Sequence, residues 1–286
     1  MDFLFEPTGY KSLGRNIGGF IDNANTFATY ISIIFPLALS LFFINRNIVL
    51  RIFFGVSILI FALVLFYSQT RGAIAATLVS ISIFLTVYCL FTKQIKLLLI
   101  SALTIFAMIL ALLASPQTAL YKRITFQGDT ALSAKNERLI QWLVAIEMFK
   151  ENPLLGVGPG GYQYKYKDYE IKIKEKPGSP FYGLSFYVAK HAHNEYLQLL
   201  AEIGLIGFLL FISLLFYYFY RVVLLIKALS GRKKRKTLFL INLGIACSLI
   251  AFLITAVTSL PFHITPCIII PVALSGYQLM CVNRYV

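Results

Sequence analysis

The sequence predicts an all-α fold: a polytopic transmembrane helical bundle of about seven spans, with a large extracytoplasmic loop that contains an amphipathic helix. Three observations predict it. Of the 286 residues 58% are hydrophobic, and the mean hydropathy is +0.77. Only 13% are charged, roughly half the share usual in soluble domains. Apolar runs of about 20 residues recur, the length a helix needs to cross the hydrocarbon core. These features exclude a soluble globular enzyme, a disordered chain and a collagen-like one. Residues 1–286 read as one integral membrane domain.

The runs are Ala24–Ile44, Ile48–Tyr67, Gly72–Phe91, Ile95–Ala114, Tyr196–Tyr220, Leu238–Leu260 and Ile264–Val282. The last contains Pro266 and Pro271, which kink a helix but are tolerated in a bundle whose neighbours satisfy the freed carbonyls. The opening residues, MDFLFEPTGYKSLGRN, lack the charged start, apolar run and small-residue cleavage site of a signal peptide. Cys89, Cys247, Cys267 and Cys281 lie in apolar stretches without paired spacing and read as buried thiols.

Orientation follows from charge. The chain has 26 Lys+Arg against 12 Asp+Glu. If the spans alternate, Arg46, Arg51, Lys93, Lys96, Lys227, the cluster Arg232–Lys236 and Arg284 share one side, which the positive-inside rule makes cytoplasmic. The basic excess therefore reports topology and contact with anionic lipid, not nucleic acid. The other side carries the turn Ser68–Arg71, the segment 115–195 and Ser259–His263. The long segment holds 11 Lys+Arg and 8 acids; loops of this size cross membranes largely regardless of charge, and long loops tend to be functional.

Within it, NERLIQWLVAIEMFKE (Asn136–Glu151) places Leu139, Trp142, Leu143, Ile146 and Phe149 at helical spacing. Such a helix suits the membrane surface or packing on the other spans. Asn152-Pro153 ends it. Gly156, Gly158, Gly160 and Gly161 follow; their amides suit either a plain turn or phosphate oxygens, and their spacing matches neither a dinucleotide fingerprint nor a P-loop. The alternating Tyr, Lys and acidic residues from Tyr162 to Lys176 read as a solvated surface stretch.

The informative polar residues sit at the outer rim. Arg71 lies in the turn between the second and third spans, where a cation needs an anionic partner, either lipid phosphate or substrate phosphate. His193 opens the fifth span. An imidazole there is largely neutral at pH 7 and can accept a hydroxyl proton, or it is a hydrogen-bonded structural group. Asn194 and Glu195 follow it, and Glu195 is placed to orient or acidify the site. His191 and His193 lack a clear further ligand, so a metal pair is not indicated. Glu202, within the span, requires a partner.

Four motifs in order resemble the bacterial O-antigen ligase and O-antigen polymerase superfamily. GGFIDNANTFATYISIIFPLAL, ending at Leu39, resembles its Gly-Phe…Asn-x-Asn segment, and Thr70-Arg71-Gly72 its Arg-Gly turn. Arg138…Trp142 followed by NPLLGVGPGGY resembles its outer-loop motif, and HNEYLQLLAEIGLIG its His-Asn…Gly-x-x-Gly signature. The resemblance spans about Gly14–Phe208. Members usually carry further spans before the first motif, so the chain resembles the C-terminal part of a longer member, a minimal form or a fragment. Its Arg71 turn also lacks a leucine that some ligases have four residues after an arginine.

The resemblance implies a glycosyltransferase at the outer face of the bacterial inner membrane, using a glycan on undecaprenyl diphosphate and no cofactor or metal. Arg71 and Arg138 would hold the diphosphate. His193 would be the general base for the acceptor hydroxyl, with Asn194 and Glu195 in support. A ligase acting on lipid A-core is the first reading. A polymerase with another glycan as acceptor shares the same logic. An inactive truncated homologue, bound to a membrane partner subunit that supplies further helices, is another alternative. A transporter of lipid-linked glycan fits less well, because the polar positions cluster at the rim and the sequence shows no internal repeat.

Overall fold

A computed structural model describes residues 23–93, 129–179, 181–182, 188–230, 235–263 and 265–285. The elements are α1 (Ala24–Ile44), α2 (Ile48–Ser68), α3 (Arg71–Thr92), α4 (Asp129–Glu151), α5 (Tyr162–Glu175), α6 (Glu195–Leu229), α7 (Lys236–Thr255) and α8 (Thr265–Tyr285). All are helical, and six are long and apolar enough to cross a membrane. These six match six of the seven expected spans; the seventh, Ile95–Ala114, lies outside the described residues. The chain is a multi-pass membrane protein.

The helix ends follow from local chemistry. Asn23 caps α1, its Oδ1 accepting from the Asn25 amide at 2.9 Å and that of Thr26 at 3.3 Å. Asn47 caps α2 by the same device, accepting from the Val49 amide at 2.8 Å. Gln69 and Lys93 end α2 and α3 in left-handed conformations.

The core is built around α7, two thirds of whose apolar window is buried. It packs against α1 and α3, and α1 also contacts α2, α3 and α8. Ser40 Oγ of α1 donates to the Leu240 carbonyl at 2.7 Å, the short polar contact that lets membrane helices approach closely. Phe91 stacks on Phe239 with centroids 3.9 Å apart. A polar tie joins three spans: Tyr218 Oη of α6 donates to Gln278 of α8, whose Nε2 donates to the Asn242 carbonyl of α7 at 2.9 Å. By contrast α2 has only 6% of its window buried, with Ile52, Phe53, Val56, Leu59, Ile60 and Leu63 all exposed. A patch of this size is untenable in water and ordinary against lipid.

Antiparallel alternation gives the bundle two poles. Arg46, Arg51, Lys93, Lys227, Arg235, Lys236 and Arg284 lie at the ends of spans at one pole. The starts of α1, α3, α6 and α8 lie at the other, together with a layer made by α4 and α5.

This layer corrects three expectations. The buried residues of α4 are Ile140, Val144, Ala145 and Met148, each at most 1% exposed. The stripe of Leu139, Trp142, Leu143, Ile146 and Phe149 is only half-buried, with Leu139 exposed. The packed face is thus rotated by one residue, because it is set by α5 and α6, which α4 contacts. The stretch from Tyr162 is not a solvated strip but a helix, with Tyr162, Tyr166, Tyr169 and Ile173 buried in the same cluster as α4. Spacings of four, three and four residues put them on one face, and Lys165, Lys167, Asp168, Lys172 and Glu175 are exposed on the other, while Glu170 is buried. Tyr162 Oη donates to the Gln141 carbonyl at 2.9 Å and Tyr169 Oη to Glu151 at 2.7 Å, so these two rings bury their bodies and satisfy their hydroxyls.

The third correction is α6. It is broken at Gly204 (φ 63°, ψ −169°) and runs on to Leu229, where the sequence suggests one continuous run ending at Tyr220. The break frees backbone groups on both sides, and the segment after α4 takes them up. The Val157 and Gly158 amides donate to the Ala201 and Glu202 carbonyls at 2.8 and 2.9 Å, and the Leu205 and Ile206 amides donate to the Pro153 and Leu154 carbonyls at 2.8 and 3.3 Å. Irregular backbone at a membrane boundary needs partners of this kind.

Candidate active site at the pole opposite the basic loops

Asn25 and Thr70 join the first two motifs: Thr70 Oγ1 donates to Asn25 Oδ1 at 3.1 Å, tying the start of α1 to the turn that presents Arg71. The next residue, Gly72, faces Thr258 in the α7–α8 connection. A Cβ at Gly72 would lie 2.0 Å from Thr258 Oγ1 and 3.3 Å from its Cβ. The Arg-Gly pair therefore has a physical division of labour: the glycine admits the α7–α8 connection, and the arginine faces the site.

Arg138 arrives on α4 and is half-buried. Its guanidinium is held below the ordinary arginine value, first by burial and then by the like charge of Arg71. No carboxylate pairs with it among the described residues. His193 precedes α6 in a left-handed conformation, φ 51°, uncommon for a non-glycine residue. Its ring is reachable by solvent, yet enough protein surrounds it to disfavour the charged form. Its pKa is lowered to about 4, first by burial, then by the positive charge of Arg138 and by His191. Of the residues singled out from sequence, Arg138 thus feels the charge of Arg71, and His193 that of Arg138, although the three come from separate elements.

Asn194 is the helix cap of α6, its Oδ1 accepting from the Tyr196 and Leu197 amides at 3.1 and 3.2 Å. Glu195 faces away from His193. Its carboxylate, 1% exposed, pairs with His263 Nδ1 at 3.0 Å and accepts from the Phe262 amide at 2.9 Å. Glu195, read from the sequence as a group able to orient or acidify the site, thus contacts His263. Sequence reasoning placed His263 on this side but gave it no partner, because the pairing is between residues 68 positions apart.

Glu202 also finds its partners. Its carboxylate accepts from the Gly160 amide at 2.9 Å, the Tyr162 amide at 3.3 Å and Gln198 Nε2 at 3.2 Å. It caps α5 and occupies amides of the glycine-rich loop, whose Val157 and Gly158 amides are already donated to α6. That loop is a structural clasp, not a phosphate cradle. Gln198 extends the network, accepting from the Ala192 amide at 3.0 Å and lying 3.4 Å from His191 Nδ1. His191 lies beside His263, with ring centroids 4.9 Å apart.

The fold and this pole define a class: a helical membrane protein that gathers two guanidiniums and an accessible, largely neutral imidazole at one boundary of the bilayer. The family model described as O-antigen ligase matches residues 56–212, more than half of the chain, and the protein belongs to that family of ligases and polymerases, membrane glycosyltransferase-like enzymes that act on lipid-linked glycans. The match includes Arg71, Arg138, His193 and the glycine-rich loop. No curated protein matches the chain.

Proposed function

We propose that the protein transfers a glycan from undecaprenyl diphosphate to a sugar hydroxyl, as an O-antigen ligase does with lipid A-core, at the periplasmic face of the inner membrane. The observation that carries this reading is that Arg138 lies within electrostatic reach of both Arg71 and His193. Cations brought together at a bilayer boundary attract an anion, and a diphosphate ester at headgroup depth is such an anion. The basic residues at the opposite pole support the orientation.

In this reading the acceptor oxygen attacks the anomeric carbon and the bond to the diphosphate oxygen breaks. The lipid diphosphate departs with the bond's electron pair, its charge offset by the guanidiniums without a metal. The acceptor proton passes to His193. A base with a pKa of about 4 in the free protein is weak; burial is the first cause and the Arg138 charge the second, and a bound diphosphate offsets the second, which raises the basicity of the ring. The same transfer to a growing glycan would make the protein a polymerase; the acceptor that accumulates product decides between them.

Purified protein incubated with lipid-linked glycan and separate acceptors tests the reading. Product with lipid A-core is expected, and transfer only to glycan acceptors would redirect it to polymerisation. Arg71→Ala is expected to abolish transfer while leaving membrane insertion intact. Arg138→Gln is expected to raise the donor KM about tenfold, the scale of one charge-assisted phosphate contact.

The pH dependence follows with its sign. His193 acts deprotonated, so activity falls as pH drops through its pKa. For kcat/KM, which reports the free protein, the acid limb is expected near the depressed value of about 4. For kcat, with donor bound, it is expected at higher pH. Arg138→Gln is expected to move the kcat/KM limb upward. Rate profiles over the acid range check both shifts.

A further inference from the structure

The cations and the imidazole come from different elements, so something must fix their separation. One connection touches both turns. The segment between α7 and α8, residues 256–263, is bound to the start of α6 three times: the Glu195 amide donates to the Ala256 carbonyl at 2.9 Å, the Phe262 amide donates to Glu195 Oε1 at 2.9 Å, and His263 Nδ1 meets the Glu195 carboxylate at 3.0 Å. In its middle Thr258 presses against Gly72, next to Arg71. Ser259 approaches Thr29 of α1, at 3.5 Å between hydroxyl oxygens. At its end Phe262 packs edge-on against Phe252 and Phe211, with centroids 4.7 and 5.7 Å apart.

We propose that His263 is a positioning residue of the transfer site: by clamping the buried Glu195 carboxylate it locks residues 256–263 between the His193 turn and the Arg71 turn, and so sets the distance from base to cations. This rests on the transfer reading above. The clamp is chemically suited to the task. Glu195 is almost completely buried, and a buried carboxylate is stable only with well-placed donors. The Phe262 amide supplies one and the His263 ring the other. The charged groups that face His263 are Glu195 and Glu202 of α6, with the His191 ring tilted at its side, centroids 4.9 Å apart. The two carboxylates favour its protonated, donating form. The Glu195 side chain is also one residue past the Asn194 cap and two past His193, so a shift of the clamp is transmitted directly to the His193 backbone.

A bridge of this kind acts on geometry and not on ground-state affinity. A displacement of about 1 Å at a reacting centre costs on the order of a hundredfold in rate, while a flexible lipid diphosphate still finds its cations. His263→Ala is therefore expected to lower kcat about tenfold or more with the donor KM within about twofold of the parent. His263→Asn, whose side-chain amide replaces the Nδ1 donor, is expected to return kcat to within about threefold. Binding of undecaprenyl diphosphate alone, measured by thermal shift of the full chain in detergent, is expected to be unchanged in both variants.

A folded alanine variant with kcat within about threefold of the parent overturns the proposal, as does an asparagine variant no faster than the alanine one. If the alanine variant fails to insert, the asparagine variant decides alone, and a tenfold loss there overturns the proposal. Running His193→Ala beside them separates the two readings. Full activity in that variant removes the transfer mechanism itself, whereas its inactivity with an active His263→Ala removes only the bridge.

Discussion

His193→Ala is expected to lower kcat by a factor of about 10² to 10⁴, the usual contribution of a positioned general base, while binding undecaprenyl diphosphate as the parent does. Three features of the ring argue for so large an effect. It is held where the backbone is left-handed, φ 51°, and strain of this kind persists only where the surroundings fix it. It is accessible to solvent while its neighbours keep it neutral, first through burial and then through Arg138. And it adjoins the element that offers positive charge to a leaving group. Among the described residues the imidazole makes no hydrogen bond, and the cap of α6 is supplied by Asn194, so removing the imidazole is expected to spare insertion and folding. Single-turnover transfer with purified protein, compared with binding of the lipid diphosphate alone, checks the prediction. Near-parental turnover would sink the assigned role.

Gly204→Ala is expected to be the most damaging small substitution in the chain. The residue has φ 63° and ψ −169°, a region almost reserved for glycine. An added Cβ would also sit 2.4 Å from the Leu154 carbonyl group and 2.6 Å from the Gly156 nitrogen. Those are backbone atoms, and they are held by the hydrogen bonds from Leu205 and Ile206 to Pro153 and Leu154. Relief requires the two segments to separate, which leaves amides and carbonyls unpaired at about 1–3 kcal/mol each on top of about 1–3 kcal/mol of backbone strain. At Gly156, φ 69°, an added Cβ would lie 2.4 Å from the Glu202 backbone on the other side, and alanine there is expected to act in the same direction. Loss of folded protein in detergent, followed by size-exclusion chromatography and thermal unfolding, measures the effect.

Much of this architecture was legible in the chain because the bilayer imposes a length on helices and charge marks their ends. Six spans were recovered, five of them with ends shifted by at most five residues and the one at α6 running on to Leu229, and Arg71 and His193 stood out because a polar group at the rim of a greasy helix must have a reason to be there. What escaped is instructive. The tyrosines of α5 follow a helical period, but they are interleaved with lysines and acids, so composition masked the periodicity. The packed face of α4 missed by one residue, since a helix with apolar residues on two sides does not say which side has a neighbour. The break in α6 was hidden because Gly204 and Gly207 also suit a continuous, closely packed membrane helix. Contacts such as Glu195 with His263, and Glu202 with the Gly160 and Tyr162 amides, join residues far apart in sequence, and nothing local encodes them.

The interrupted α6 has a consequence for how the polypeptide is made. Its open turn is closed by backbone atoms of Pro153 to Gly158, a stretch that leaves the ribosome earlier than Gly204, since translation runs from the N-terminus. The segment that closes the gap is therefore already synthesised when Gly204 emerges, and its backbone groups are at hand to pair with those freed by the break. Severing the polypeptide between these two points and reversing the order of the pieces would remove that timing, although every contact in the finished molecule stayed the same.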